Sequence, residues 1–417
     1  MFIYRFISNI FLLISPLIIV FRILKGKEDP NRFKERYGYS TVKRHKGKLI
    51  WFHCCSVGEL LSIIPLIEKL EKEKKINQIL VTTITISAAK IIRSFSFKKT
   101  IHQYFPIDND YIIKKFLNFW NPHILFLCES EIWPNLIYRV HLRNTKIVLL
   151  NARLTKKSFK KWKYIRSFSK KIFKKFNICL AQNLETKKYL KNLGSKNIKF
   201  LGNLKFSFRK TFNTEKLDLK RINFFKNKNI LLTAASTHHD EENFVLKNHL
   251  YFSKKNKIKN LISIIIPRHV NRISEINQSA INLGLKTHFH SSTSKISKNT
   301  NIYLVDSYGE VNKFYRISNT IFMGGSIIPH GGQNPLEAAR FGCKIVHGPY
   351  VSNFKEIYKK LSSMKISFNF NSYNSGIKII EERFNKKNKT FNNILLIKFG
   401  EKVLNSNYSE IIKLILK

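Results

Sequence analysis

This 417-residue chain is short of acidic residues: 26 Asp and Glu stand against 75 Lys and Arg, a formal charge of +49 at pH 7. Cysteine is sparse too. Five residues, two of them adjacent at Cys54 and Cys55, do not make a disulfide framework and fit a reducing compartment. There is no Walker-type phosphate loop (GxxxxGK followed by Ser or Thr), no GxGxxG after a first strand, and no Cys or His spacing suited to zinc. No repeat of fixed period is present, which removes solenoids and propellers. The charge invites a nucleic-acid or anionic-membrane reading. However, the excess is spread along the chain and Asn and Ile are abundant beside Lys, so AT-rich coding bias accounts for much of it.

With 43% hydrophobic and 13% aromatic residues the chain buries sizeable cores, and its length predicts two domains. From Phe6 to Phe21 it is apolar apart from Ser8, Asn9, Ser15 and Pro16, and it is flanked by Arg5 and Arg22. With Ile23 and Leu24 this run approaches the length of a membrane span. Basic and polar residues follow it instead of a small-residue cleavage site, so an uncleaved anchor holding the remainder in the cytoplasm is expected. A buried N-terminal helix is the alternative. Between Ser158 and Phe176, Phe159, Trp162, Ile165, Ile172 and Phe176 recur at helical spacing among Lys and Arg. That pattern suits either an interfacial helix or a surface helix with its aromatic stripe turned to the core.

Beyond the N-terminal run, short apolar or β-branched segments alternate with helical patterns, the signature of parallel sheets wound with crossover helices. The first series of strands is predicted at Leu49–His53, Ile79–Thr83, Ile124–Cys128, Ile147–Leu150 and Ile178–Ala181. A second runs through Ile230–Ala234, Leu261–Ile266, Ile302–Val305, Thr320–Met323 and Lys344–His347. The polar stretch Lys210–Lys228 separates them. The expected division is an anchor over 1–27, a Rossmann-like domain over 28–209 and a second Rossmann-like domain over 210–417, whose C-terminal helices pack back on the first.

Ligands of such sheets bind beyond the carboxyl ends of the strands, so the residues just after each run carry the functional signal. Cys55-Ser56-Val57-Gly58-Glu59 is a small turn into a helix, with Glu59 placed either to do chemistry or to favour the helix dipole. Glu129-Ser130-Glu131 puts two carboxylates at another strand end. Pro267-Arg268-His269 offers a cation for a phosphate, or a surface ion pair. In Gly324-Gly325-Ser326-Ile327-Ile328-Pro329-His330-Gly331-Gly332-Gln333-Asn334-Pro335-Leu336-Glu337, glycine pairs would let backbone amides approach a phosphate or sugar, while Glu337 can accept ribose hydroxyls. Asp108-Asn109-Asp110 has the form of a metal-holding triplet, but it precedes a helix and is read as a turn and N-cap. The acids of Ser236-Thr237-His238-His239-Asp240-Glu241-Glu242 are read first as a capping box at a strand-helix junction, with a place beside the nucleotide as the alternative.

Taken together, W-F-H-C-C-S-V-G-E (51–59), E-S-E-I-W-P-N (129–135), N-A-R-L-T (151–155), L-G-N-L-K-F (201–206), A-S-T-H-H-D-E-E (235–242), P-R-H (267–269), Y-G-E (308–310) and the 324–337 loop resemble the 3-deoxy-D-manno-octulosonic acid (Kdo) transferases of lipopolysaccharide assembly. The resemblance runs from the N-terminal segment to about residue 360. It implies a GT-B glycosyltransferase, metal-independent and without cofactor, that moves Kdo with inversion from CMP-Kdo to the tetraacylated lipid A precursor (lipid IV-A) at the cytoplasmic face of the inner membrane. By position, Glu59 matches the general base, and Glu129 and Lys205 match transition-state stabilisers. Pro267, Arg268, Tyr308, Gly309, Glu310, Asn334, Pro335, Leu336 and Glu337 match the CMP-binding residues. Departures are Cys54-Cys55, Ser207 where Asp is common, and Gln333 where His is common. The implied partners are the donor, the lipid acceptor and an anionic membrane surface, with no nucleic acid. A GT-B transferase or epimerase using another sugar nucleotide, and more remotely a basic nucleic-acid-binding protein, are the competing readings.

Overall fold

In the computed structural model, which describes residues 1–208, 216–255, 258–385 and 394–416, the chain divides into two compact units. The first is Met1–Phe208 with Lys398–Lys417, and the second is Arg209–Ile397. Part of the polar stretch predicted as the boundary, 210–215, lies outside the described residues.

Each unit is built on a seven-stranded parallel sheet. In the first, β1 (Leu49–Cys54), β2 (Gln78–Thr83), β3 (Thr100–Tyr104), β4 (Ile124–Cys128), β5 (Lys146–Ala152), β6 (Ile178–Ala181) and β7 (Ile198–Phe200) are ordered β3-β2-β1-β4-β5-β6-β7. In the second, β8 (Asn229–Thr237), β9 (Leu261–Pro267), β10 (Thr287–Phe289), β11 (Ile302–Leu304), β12 (Thr320–Met323), β13 (Lys344–His347) and β14 (Ser367–Asn369) are ordered β10-β11-β9-β8-β12-β13-β14. Both sheets start in the middle, fill one side and then return to the other, so β1 with β4 and β8 with β12 flank the points where the order reverses. Two such doubly wound units in tandem are the GT-B architecture that the resemblance implies.

All ten predicted strands form, and four more were not predicted: β3, β7, β10 and β14. These are the four sheet edges. Inner strands such as β1 and β4 are buried along their whole length and read as apolar runs, whereas an edge strand such as Thr-Ile-His-Gln-Tyr mixes polar and apolar residues. The open edge of β3 is covered by a buried polar cluster. Glu35 accepts the Tyr104 amide (2.6 Å) and holds Arg32 (2.8 Å), which donates to the His102 carbonyl (2.9 Å).

The N-terminal run is a helix, Phe2–Leu24, long and apolar enough to cross a membrane. It is not buried as a whole: Phe6, Phe11, Leu13, Leu17 and Val20 are exposed. Its polar side chains lie on one face and bind the first unit. Tyr4 donates to Asp108 (2.8 Å), Arg5 pairs with Asp110 (2.9 Å), Asn9 accepts from Asn109 (2.7 Å) and Ser15 meets Tyr37 (3.2 Å). The pattern predicted as one helix over 158–176 breaks at Ile165 into Lys156–Tyr164 and Arg166–Phe173. The first piece buries no residue completely, although Phe159 stacks on Tyr189 and Trp162 packs edge-on against Phe173.

The C-terminal helix Ile394–Leu416 closes the first unit. It crosses the 202–207 turn at two glycines. A Cβ on Gly400 would stand 2.4 Å from the Phe206 carbonyl, and one on Gly202 would stand 2.8 Å from Val403. Phe206 meets Phe399 edge-on at 5.0 Å, and Lys48 and Lys146 bind the last carbonyls of the helix at 2.7 and 2.8 Å. Gly400→Val therefore forces the helix off the turn and is expected to cost about 1–3 kcal/mol, the usual range for overpacking. Denaturant titration of the purified protein measures it, and an unchanged midpoint contradicts this packing.

Candidate active site

In the first unit the residues singled out by the sequence gather at the β1–β4 switch. Ser56 caps the helix Val57–Leu70 by accepting the Glu59 amide, and the Glu59 carboxylate reaches back to the Cys55 amide (2.7 Å) and the Ser56 hydroxyl (3.1 Å). Glu59 thus has the capping role that the helix start suggested. It is more than a cap, however. Burial, and then the neighbouring Glu129 and Glu131, push its carboxyl up to about 7.

Across the switch, Glu129 sits just beyond β4 with φ +51°, a left-handed conformation that an L side chain occupies only when its surroundings impose it. Its amide donates to the Leu150 carbonyl (2.9 Å) and its own carbonyl accepts the Arg153 amide (3.1 Å), which fixes the bend. The buried carboxylate meets Lys205 Nζ at 2.6 Å. Lys205 stands on the short turn Leu204–Phe206, which Asn151 at the end of β5 ties down through the Leu204 amide (3.0 Å). Ser207, at the position where the family commonly has Asp, donates to the Leu204 carbonyl (2.7 Å) and so steadies the same turn.

Two participants were not assigned from sequence. Glu131 accepts from Trp133 Nε1 (2.9 Å) and faces His53 Nε2 (3.3 Å). His53 is fully buried against Phe105, and burial lowers its pKa, so at neutral pH it is an uncharged ring that leaves the Glu131 charge standing. A histidine at the end of an otherwise apolar inner strand was the available signal. The arrangement comprises three carboxylates and one ammonium. The ammonium is committed to Glu129, which leaves Glu59 a carboxyl able to gain and lose a proton near neutral pH.

The Asp108-Asn109-Asp110 triplet serves structure. Asp108 accepts the Asn135 (3.1 Å) and Leu136 (2.8 Å) amides at the start of the helix Pro134–Leu142, Asn109 caps the helix Asp110–Trp120, and Asp110 holds Arg139 (2.6 Å). Among the described residues, no group of three or more His, Cys, Asp and Glu is placed to hold a metal ion.

In the second unit the matched nucleotide residues follow β9, β11 and β12. Pro267 closes β9 and Arg268 beyond it is exposed. Tyr308 is exposed, with its hydroxyl 3.5 Å from the Val270 amide, and Gly309 takes φ +88° to make the turn. Glu310 is engaged by Lys313 (2.8 Å) and lies 3.3 Å from His290. Asn334 and Glu337 are exposed, and Pro335 and Leu336 are buried at the start of the helix Leu336–Arg340.

The glycine loop departs from expectation. Its amides at Gly325 (2.6 Å), Ser326 (2.9 Å) and Ile327 (3.0 Å) are taken by the fully buried carboxylate of Glu241, which also accepts the His238 amide (3.0 Å). Those amides therefore hold an internal anion in place of a phosphate. Only half of this was legible: the bond to His238 is the predicted capping box, but nothing local announces the reach to residue 325. In Glu241→Gln an amide N–H faces backbone N–H groups. The change is expected to cost about 3 kcal/mol or more as two charge-assisted bonds are lost, and to weaken nucleotide binding. Denaturant unfolding and CMP calorimetry read the two effects, and wild-type values in both contradict the assignment.

Comparison with known proteins agrees with this geometry. Residues 31–208 match the family model of 3-deoxy-D-manno-octulosonic-acid transferase (kdotransferase). The chain is 33% identical over 416 residues to the 3-deoxy-D-manno-octulosonic acid transferase of Rickettsia bellii, covering 98% of both proteins. It is 30% identical over 378 residues to the enzyme of the same name from Haemophilus influenzae, covering 88% of this chain and 87% of that one. Among solved structures, UDP-GlcNAc 2-epimerase from Neisseria meningitidis superimposes with a TM-score of 0.58 at 13% identity over 89% of this chain and 99% of the other, a likeness of fold alone. By its nearly full-length relationship to these transferases, and with two parallel sheets of GT-B type beneath it, the chain belongs to the Kdo transferase family of glycosyltransferases.

Proposed function

We propose that this enzyme transfers Kdo from CMP-Kdo to the lipid A precursor with inversion and without a metal. The observation that carries the reading is the switch of the first unit, where Glu59 is buried beside two further carboxylates and the ammonium of Lys205 is spent on Glu129. In this mechanism Glu59 takes the proton of the acceptor hydroxyl as its oxygen attacks the anomeric carbon from the face opposite CMP. The Lys205–Glu129 pair offsets charge that develops as the glycosidic bond breaks, the carboxylate favouring oxocarbenium character and the ammonium the departing anion. Pro267, Arg268, Tyr308, Gly309, Glu310, Asn334, Pro335, Leu336 and Glu337 hold CMP, with Arg268 at the phosphate. Metal independence is supported by the D-x-D acids, which are committed to helix starts and to Arg139 and Arg5.

Purified protein, a CMP-Kdo generating system and lipid A precursor, with products weighed by mass spectrometry, test the reaction. No Kdo-bearing product from folded protein overturns it. A base must be ionised to act, so the transfer rate is expected to rise with pH through an acid limb centred near 7. Glu59→Gln lowers the rate by about 10²–10⁴, abolishes that limb and keeps CMP binding. A limb near 4 in the wild type contradicts the assignment of the base.

The same reading places the enzyme at the cytoplasmic face of the inner membrane. The exposed apolar side of the helix Phe2–Leu24 supports it, as do the five Lys on the outward helix Lys156–Tyr164. Leu13→Lys with Leu17→Lys is expected to abolish co-sedimentation with anionic lipid vesicles while leaving the thermal midpoint unchanged. Undiminished sedimentation contradicts this role for the helix.

A further inference from the structure

We propose that the second unit carries a two-part anion site at the carboxyl ends of β8, β9 and β12, in which Arg268 takes the nucleotide phosphate and the stacked pair His238–His330 takes the carboxylate of an ulosonic-acid sugar. The inference rests on the donor reading above and adds to it how an acidic sugar is told from a neutral one.

His238 follows β8 and His330 follows β12, so the pair spans the point where the strand order reverses, the expected position of a ligand in such a sheet. The two rings lie 4.1 Å apart, tilted by 32°, and His269 beside Arg268 approaches His238 edge-on at 6.0 Å. The Gln333 amide lies 3.1 Å from His238 Nε2. All three side chains converge over Gly325, where a Cβ would stand 3.4 Å from His330, 3.5 Å from His238 and 3.6 Å from Gln333. Gly325, with φ +67°, leaves the floor of this corner open.

Nearby acids do not neutralise it. Glu241 is consumed by backbone amides, Glu242 holds Arg272 (3.0 Å), and Asp240 and Glu275 lie against His239 (3.1 and 3.2 Å). Among the described residues, Arg268, His238, His269 and His330 have no ion-pair partner. Burial, then His330, His269, Arg268 and Arg272, hold the His238 pKa down to about 4, so these neighbours keep that ring neutral. An arriving carboxylate reverses the field, and the ring gains a proton at Nε2 as the Gln333 amide turns its oxygen to accept it, so that the charged ring attracts the carboxylate. A neutral sugar brings no charge to offset the cost of protonating His238, which selects against it.

The test compares CMP, which has the phosphate alone, with CMP-Kdo, which has phosphate and carboxylate, in wild type, His330→Asn and His238→Asn with His330→Asn. The expected result is CMP affinity within about twofold of wild type and a KM for CMP-Kdo raised about tenfold or more. Calorimetry without acceptor, in buffers of different ionisation enthalpy, should show proton uptake with CMP-Kdo but not with CMP, and its loss in the double variant. Because His330 is exposed, its single variant carries the test if the double variant unfolds early. Equal weakening of CMP and CMP-Kdo means that the rings hold the phosphate and overturns the proposal, as does no change in either. Wild-type protein that binds CMP-Kdo without proton uptake also overturns it. If wild type binds neither ligand, the donor reading fails and this site with it.

Discussion

A parallel strand covered by helices on both faces has nowhere to put a charge except its ends. Both sheets obey this constraint, and the positions of the reactive groups follow from it. β1 and β4 are buried throughout, and the acids that follow them, Glu59, Glu129 and Glu131, emerge together where the strand order reverses. The second sheet repeats the logic with Arg268 and three imidazoles, His238, His269 and His330, beyond the ends of its central strands.

What separates these acids is how each is compensated. Glu241 is buried completely, and four backbone amides hold it in a structural role. Glu129 is buried with an ammonium on it. Glu59 has one amide, one hydroxyl and two like charges nearby, a balance that leaves it near the edge of ionisation. Burial first, and then the two like charges, make Glu59 a carboxyl that can serve as a base.

The helix Phe2–Leu24 shows the same contrast between composition and placement. Hydropathy alone describes a membrane span or a buried helix. Its Tyr4, Arg5, Asn9 and Ser15, scattered in the sequence, fall on one side and bind the first unit, while the other side remains apolar and exposed.

The ten inner strands were legible because doubly buried strands are written as unbroken apolar runs, and the residues after them could be named from that alone. The four edge strands were not, since a half-covered strand mixes residue types. Motif order was enough to indicate the family, and the scarcity of acids marked Glu59, Glu129, Glu310 and Glu337 as unusual. Tertiary structure decided what each acid does. It set Lys205 against Glu129, turned Glu310 onto Lys313, sent Glu241 into the glycine loop and stacked His238 on His330. These pairings join residues on different strands and turns, and a contact made only when the chain closes on itself leaves no local pattern by which to foresee it.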